Sequence, residues 1–402
     1  MKIAIMGFGV VGSGVGEIVS KNQSVFIDKT GEGIEIKHIL DLRDFPDSEY
    51  KCFTKDFNDI LNDDEVTAVV EVMGGTVPAY EFTKKLLLKG KHVISSNKEL
   101  VAKHGTELLA IAKEKNINYL FEASVGGGIP IIRPLYSCLT SGEITRIYGI
   151  LNYTTNYILT RMINDGIDFA TALSDAQAKG YAEKDPTADV DGFDACRKTA
   201  ILGSLSFGKS IDSEKIPTEG IRNITLTDVA YAEKLGCSIK LIGSCTKDGD
   251  GVFARVCPMM VPSSSPLSSI NDVFNGIVVE DSSLGDVMFY GRGAGKLPTA
   301  SAVVADVIDI AKHQNKNIII RWEQGEESFL HDCSKQKYSY YLRLNGANIQ
   351  EFEDLKTIAL EKEEFNGEFA IVTPKLTENE LEEFLNASRF ANCEILAKMR
   401  ML

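Results

Sequence analysis

Six residues near the start of the chain, Gly7-Phe8-Gly9-Val10-Val11-Gly12, have the types and spacing to hold a pyrophosphate. Gly7 permits a tight turn, Gly9 lets the backbone approach phosphate oxygens, and Gly12 allows close helix–strand contact. A helix starting there presents unpaired N–H groups and the positive end of its dipole to the anion. Alone, GxGxxG is weak evidence, because any tight strand-to-helix turn uses such glycines. Here it follows the apolar run Ile3–Met6 and opens a helical stretch over Gly12–Val19, the context of a dinucleotide fingerprint. The next β-rich run ends at Leu40-Asp41-Leu42-Arg43. An aspartate at that position hydrogen-bonds ribose hydroxyls and repels a 2′-phosphate, whereas an arginine accepts one. Asp41 lies 29 residues beyond Gly12, and the insert Val25–Gly33 accounts for the excess over the usual ~20. The pattern favours NAD over NADP, against the alternative that Asp41 is a solvated strand end.

A second pair with chemical potential is Asp194 and Lys198, four residues apart and so on one helix face. Taken alone, that spacing describes a surface salt bridge. The five histidines are dispersed with no zinc spacing, and His92 and His104 read as satisfied structural residues. The eight cysteines form no CxxC pair, which suits reduced, mostly buried thiols in a cytoplasmic chain. A net charge of −14 argues against nucleic acid and anionic membrane surfaces as partners. No apolar run reaches the ~18 residues of a spanning helix, and the N-terminus lacks the apolar core of a signal peptide.

The elements that must position these residues follow from periodicity. Ile3–Met6, Ile34–Leu40, Val66–Met73, His92–Ser95 and Ile117–Glu122 read as short apolar strands, separated by helical stretches at Glu81–Leu88 and Leu100–Ala112. Continuous apolar strands alternating with helices imply an α/β doubly wound, Rossmann-type parallel sheet covered on both faces. The middle of the chain reads as α+β, with helices over Asn156–Asn164, Thr171–Gly180, Gly192–Phe207 and Thr227–Ser238, and strands at Val252–Val256 and Ile277–Val279. A helix over Thr299–Lys312 follows the turn Gly291-Arg292-Gly293-Ala294-Gly295. The last residues give strands at Tyr338–Leu344, Phe369–Val372 and Ile395–Met399 and helices at Ile349–Leu355 and Glu378–Asn386. Their order suggests a small ferredoxin-like unit. At 402 residues and 44% hydrophobic, the chain supports two or three globular domains. The expected division is a dinucleotide-binding domain at 1–130 rejoined by helix 299–312, a substrate and dimerisation domain at 131–298, a connector at 313–337 and a terminal unit at 338–402.

Four segments carry a specific resemblance. The nineteen residues from Gly180 to Lys198, Gly-Tyr-Ala-Glu-Lys-Asp-Pro-Thr-Ala-Asp-Val-Asp-Gly-Phe-Asp-Ala-Cys-Arg-Lys, resemble the signature of homoserine dehydrogenases. Ser96-Asn97-Lys98, Glu122–Pro130 and Tyr290–Gly295 with Pro298-Thr299-Ala300 are similar to the same family, in the same order. The resemblance spans residues 1–312. It implies interconversion of L-aspartate 4-semialdehyde and L-homoserine with a nicotinamide cofactor, within threonine, methionine and isoleucine biosynthesis. It implies that Lys198 is the proton donor and acceptor, with Lys98 as a second cation and Asp189 as a further site carboxylate. Glu183 and Asp194 match the amino-acid-binding carboxylates. Gly75, Lys98, Gly180, Gly293 and Gly295 match cofactor contacts beside the glycine loop and Asp41 with Arg43. Glu122, Val125, Gly127 and Ile129 resemble a structural monovalent cation site, sodium being such an ion, made of one carboxylate and backbone carbonyls. Where the family reads Asn-Gly-Thr, this chain has Asn152-Tyr153-Thr154, which adds a ring beside the substrate pocket.

Tyr338-Ser339-Tyr340-Tyr341-Leu342-Arg343-Leu344 resembles the first strand of an ACT regulatory domain. The Asp-Arg-Pro-Gly turn of those domains is absent, and the chain reads Asn345-Gly346-Ala347-Asn348-Ile349, so an assembly role stands beside effector binding. The resemblance and the strands at Val252–Val256 and Ile277–Val279 suggest a homodimer or higher homo-oligomer through the middle domain. Two other functions fit the first 130 residues: a different oxidoreductase of amino-acid-derived aldehydes, or a non-catalytic NAD-binding amino-acid sensor. Gly180–Lys198, with its charged residues intact, favours the dehydrogenase.

Overall fold

A computed structural model describes residues 1–314, 316–346, 349–360, 367–391 and 393–402. The chain divides into two compact units. One comprises Met1–Ile147, Ala200–Lys215 and Val279–Glu326, and the other Tyr148–Thr199, Ile216–Val278 and Glu327–Leu402.

The first unit is built on β1 (Lys2–Met6), β2 (Glu35–Leu40), β3 (Phe53–Thr54), β4 (Ala68–Glu71), β5 (His92–Ser95) and β6 (Tyr119–Leu120). All pairs are parallel, in the order β3-β2-β1-β4-β5-β6. This is the doubly wound order of dinucleotide-binding sheets, in which the direction of winding switches beside β1. Ile3, Ile5, Ala68 and Val70 are buried, as expected for strands covered on both faces. The helix Lys296–Lys312 shares their core through Ala300, Val303, Val304, Val307 and Ile310. It comes close to the helix Val10–Lys21, where a Cβ on Gly14 would lie 2.9 Å from the Ala300 side chain. Trp322, expected in a connector, is buried with its ring edge-on to Phe121 at 5.9 Å.

The second sheet is mixed. Its strands are β7 (Ile144–Ile150), β8 (Cys237–Asp248), β9 (Gly251–Pro262), β10 (Phe274–Asp281), β11 (Gly285–Arg292), β12 (Tyr340–Asn345), β13 (Lys356–Ala359), β14 (Glu368–Val372) and β15 (Glu394–Met401). Their order is β11-β10-β7-β8-β9-β15-β12-β14-β13. The C-terminal strands therefore do not form the separate unit expected at 338–402. β15 pairs in parallel with β9 at Arg400–Met259 and Met401–Met260. Leu342, Leu344, Phe369 and Ile371 share one core with Ile242, Met259 and Val261.

Within that segment the helix Glu378–Leu385 starts at a Thr377 capping box. The expected first helix is a single 3₁₀ turn, Ile349–Phe352. Ala347 and Asn348, at the altered turn, lie outside the described residues.

Two further expectations change. The strands at Val252–Val256 and Ile277–Val279 lie within β9 and β10, each flanked by a strand on both sides, so neither offers an edge for a partner sheet. The expected helix over Thr227–Ser238 is Leu226–Lys234, because Gly236 takes a left-handed φ of 71° and Cys237 opens β8. All eight cysteines are free. Among the described residues no helix is long and apolar enough to cross a membrane.

Candidate active site

The glycine loop connects β1 to the helix Val10–Lys21, with Gly9 at the N-cap. Gly7 has φ 97°, and a Cβ there would lie 2.9 Å from the Val72 carbonyl. A Cβ on Gly12 would lie 2.0 Å from the Gly7 carbonyl. A Cβ on Gly9 would come no nearer than 4.0 Å, to the Arg43 guanidinium, so this glycine keeps the backbone open rather than filling a packed contact. Asp41 is tied to the loop, accepting the Phe8 N–H at 2.8 Å. It also takes Arg43 Nε at 3.0 Å, Arg43 Nη2 at 2.8 Å and the Arg43 backbone N–H at 3.0 Å. The Arg43 contact holds the Asp41 carboxyl well below the usual carboxylate range. The two residues read separately for cofactor choice are thus one ion pair, and the repulsion Asp41 exerts on a 2′-phosphate is partly neutralised.

A buried polar chain at the ends of β4 and β5 was not legible beforehand. Ser95 Oγ donates to Glu71 Oε2 at 2.6 Å, and the Asn97 N–H donates to Ser95 Oγ at 3.0 Å. Asn97 caps the helix Lys98–Glu114 and donates to the Gly75 carbonyl at 2.5 Å. Lys98 is the first residue of that helix, half-buried, and Gly75 has φ 68°. Burial pushes the Glu71 carboxyl up, with Ser95 opposing. His92 accepts the Asn118 N–H on Nδ1 and meets the Gln314 carbonyl with Nε2, and His104 stacks on Tyr80.

The loop Val125–Ile129 carries two left-handed glycines, Gly126 and Gly127. It packs on the turn of residues 291–295, where a Cβ on Gly127 would lie 2.4 Å from the Gly293 carbonyl. Gly295 is the N-cap of the helix Lys296–Lys312. Glu122 does something the sequence did not suggest. Its carboxylate accepts the backbone N–H groups of Ile131 and Ile132 on Oε1 and of Arg133 on Oε2, at 2.7, 2.8 and 2.7 Å. Arg133 also donates to Asp306 at 2.6 Å and to Asp309. Three of the acceptor positions of this carboxylate are thus taken by backbone amides.

The second unit holds the signature residues. Asp194 and Lys198 lie on the helix Phe193–Phe207 and are 4% and 7% exposed. Lys198 Nζ donates to Asp194 Oδ2 at 2.7 Å and to the Leu151 carbonyl at 2.9 Å. This is a buried pair, so the surface-bridge reading of the spacing fails. Asn152 Nδ2 donates to Asp194 Oδ2 at 2.9 Å and to Asp189 Oδ1 at 2.7 Å. Asp189 sits in the short helix Thr187–Val190. Glu183 is exposed on the segment after Gly180, where φ is 73° and the helix Phe169–Ala178 has ended. Tyr153, the departure from the family pattern, is half-buried and meets the Tyr181 ring edge-on at 6.5 Å. Asn152 was passed over in the sequence, although its place in the family's Asn-Gly-Thr triplet was the available signal.

Apart from the loop Val125–Ile129, which lies between them, these groups fall inside two matches to family models. Residues 7–122 match the NAD binding domain of homoserine dehydrogenase, and residues 130–308 match homoserine dehydrogenase. The homoserine dehydrogenase of Synechocystis is 44% identical over 318 residues, covering 77% of this chain and 73% of that one. The chain belongs to the homoserine dehydrogenase family. A homoserine dehydrogenase from Thiobacillus denitrificans superposes with a TM-score of 0.88 at 31% identity, over 100% of this chain and 98% of that one. A hyperthermophilic archaeal homoserine dehydrogenase, solved in complex with NADPH, superposes with a TM-score of 0.68 at 29% identity, over 79% and 99%. Among the described residues no group of three or more His, Cys, Asp or Glu has metal-holding geometry.

Proposed function

We infer that the chain interconverts L-homoserine and L-aspartate 4-semialdehyde with NAD or NADP, a step in making threonine, methionine and isoleucine. The observation that carries this is the buried Asp194–Lys198 pair inside the family's signature. When bound, the nicotinamide ring supplies the acceptor for hydride. As hydride leaves the hydroxyl-bearing carbon, the hydroxyl must lose a proton, and Lys198 takes it; in reverse, Lys198 returns it to the developing alkoxide. Lys98 is assigned as a second cation of the site. Asp189 braces the site, Glu183 accepts the substrate ammonium, and Asp194 holds Lys198 and a substrate polar group.

The cofactor rests on Gly7, Phe8, Gly9, Val10, Val11 and Gly12, with further contacts at Gly75, Lys98, Gly180, Gly293 and Gly295. The Asp41 carboxylate, though paired with Arg43, supports a slight preference for NAD. A monovalent cation would be held by Glu122 and by backbone carbonyls of Val125, Gly127 and Ile129. We assign dinucleotide binding to residues 1–130 with helix 299–312, substrate binding and dimerisation to 131–298, and an ACT-like assembly role to 338–402, in a cytoplasmic homo-oligomer. The test mixes protein, L-homoserine and either cofactor and follows absorbance of the reduced nicotinamide. Homoserine-dependent reduction is expected, and none with either cofactor refutes the reading.

A further inference from the structure

We propose that Asn152 is a positioning residue for proton transfer, holding the Asp194 carboxylate in place whether or not Lys198 carries a proton. The inference rests on the reading of Lys198 as the group that exchanges the substrate proton.

Asn152 is 2% exposed and is the N-cap of the helix Tyr153–Asp165. A side-chain amide offers two N–H donors and one acceptor oxygen. The oxygen accepts the Thr155 N–H at 2.8 Å and the Thr155 hydroxyl at 3.0 Å. That fixes which end of the amide faces the carboxylates. The two donors then go to Asp189 Oδ1 at 2.7 Å and Asp194 Oδ2 at 2.9 Å. Asp194 Oδ2 is also the oxygen that receives Lys198 Nζ, and the other acceptor of that ammonium is the carbonyl of Leu151, the preceding residue. Two adjacent residues therefore grip both members of the pair.

The shared oxygen gives this arrangement its purpose. When Lys198 is protonated, its bond to Asp194 is charge-assisted and strong. When Lys198 is neutral, that bond weakens and a buried carboxylate needs another donor. The amide N–H does not titrate, so it stays on the same oxygen through the cycle. Its second arm binds Asp189, so two like charges on separate helices are held by one neutral group. Without the amide donors, the Asp194 carboxylate would lose its fixed partner whenever the Lys198 bond weakens, and its position beside the lysine would no longer be held. Two charged groups join Lys198 through this network: Asp194 on its own helix and, across Asn152, Asp189.

Asn152→Ser and Asn152→Asp separate this role from helix capping. Serine and aspartate are both good N-caps, but neither offers the amide donors. A cap alone predicts near-normal kinetics from both variants. The expected result for Asn152→Ser is a kcat at least ~10-fold lower, a smaller change in KM for homoserine and unaltered NAD binding. Asn152→Asp, which adds a third carboxylate, should be slower still; Asn152→Ser carries the test if that variant folds poorly. Wild-type kcat in a folded Asn152→Ser, or a loss confined to KM, would overturn the proposal. Lys198→Ala, assayed in parallel, separates the two failures. If it keeps normal turnover, the Lys198 reading and this inference both fall; if it is crippled while Asn152→Ser is normal, only this inference does.

Discussion

The two units recognise charge by opposite means. The glycine loop of the first works through backbone, and its glycines matter for what they lack: a Cβ at Gly12 would sit 2.0 Å from a carbonyl oxygen. The signature cluster of the second works through buried side chains, with Asn152, Asp194 and Lys198 each under a tenth exposed. Damage to the loop should come from adding atoms, and damage to the cluster from removing them. The loop should also fail in binding, whereas the cluster should fail in turnover.

The largest expected effect is in the cluster. Lys198→Ala should lower kcat by about a hundredfold or more, the usual scale for losing a general acid–base, with NAD affinity unchanged in a binding titration. Gly12→Ala should reverse the pattern. NAD affinity should fall by on the order of tenfold, because the loop must shift to relieve its clash with Gly7, while kcat at saturating cofactor falls less. Equal losses of kcat and affinity in both variants would erase the contrast. Glu183→Ala should raise KM for homoserine by roughly tenfold with a smaller change in kcat, as for a contact made equally in ground and transition states. A kcat loss without a KM change would move Glu183 into the chemistry.

A second contrast lies within one unit. Lys198 is buried against a carboxylate, but Lys240 is buried against Asn156 Oδ1, the Ile270 carbonyl and Asn271 Oδ1, all neutral. Burial therefore holds the Lys240 pKa down to about 8, with Asp272 opposing. Below that value the folded chain must carry a buried ammonium, while the unfolded chain binds the proton readily up to its ordinary pKa near ~10.4. Lys240 thus contributes a stability term that increases as pH rises from about 8 towards ~10.4. Denaturant midpoints across that window should show it, and Lys240→Met should flatten it. The smallest effect is expected at the exposed Arg43. Arg43→Ala should shift the NADP to NAD ratio of kcat/KM by only about a few-fold towards NAD, because solvent screens an exposed charge. A shift towards NADP would show that Arg43 does not receive the 2′-phosphate.

How far these features could be read from the chain differs by region. In the first unit, β1, β4 and β5 are covered on both faces, so they appear as unbroken apolar runs, and the glycine spacing marks the turn between β1 and its helix. In the second sheet the signal is diluted. β8 contains Lys240, Gly243 and Ser244 at buried positions, which breaks any period, and β11 alternates exposed and half-buried residues with glycine at its start. The joining of β15 to β9 depends on contacts more than a hundred residues apart, which no local pattern carries. At the site, the lysines and carboxylates were legible because charge is conspicuous in a sequence. Asn152 and the Glu71–Ser95–Asn97 chain were not, because a polar residue looks the same before its partners arrive from other strands and helices.

The Lys198 amine is assigned to move the substrate proton, and chemical rescue probes that role. Lys198→Ala is assayed for homoserine oxidation with and without added small primary amines, at fixed pH and saturating cofactor. The rate should start about a hundredfold or more below wild type and rise in proportion to the free-base concentration of the amine. Near-normal turnover of Lys198→Ala without any amine would contradict it and pass the proton to Lys98.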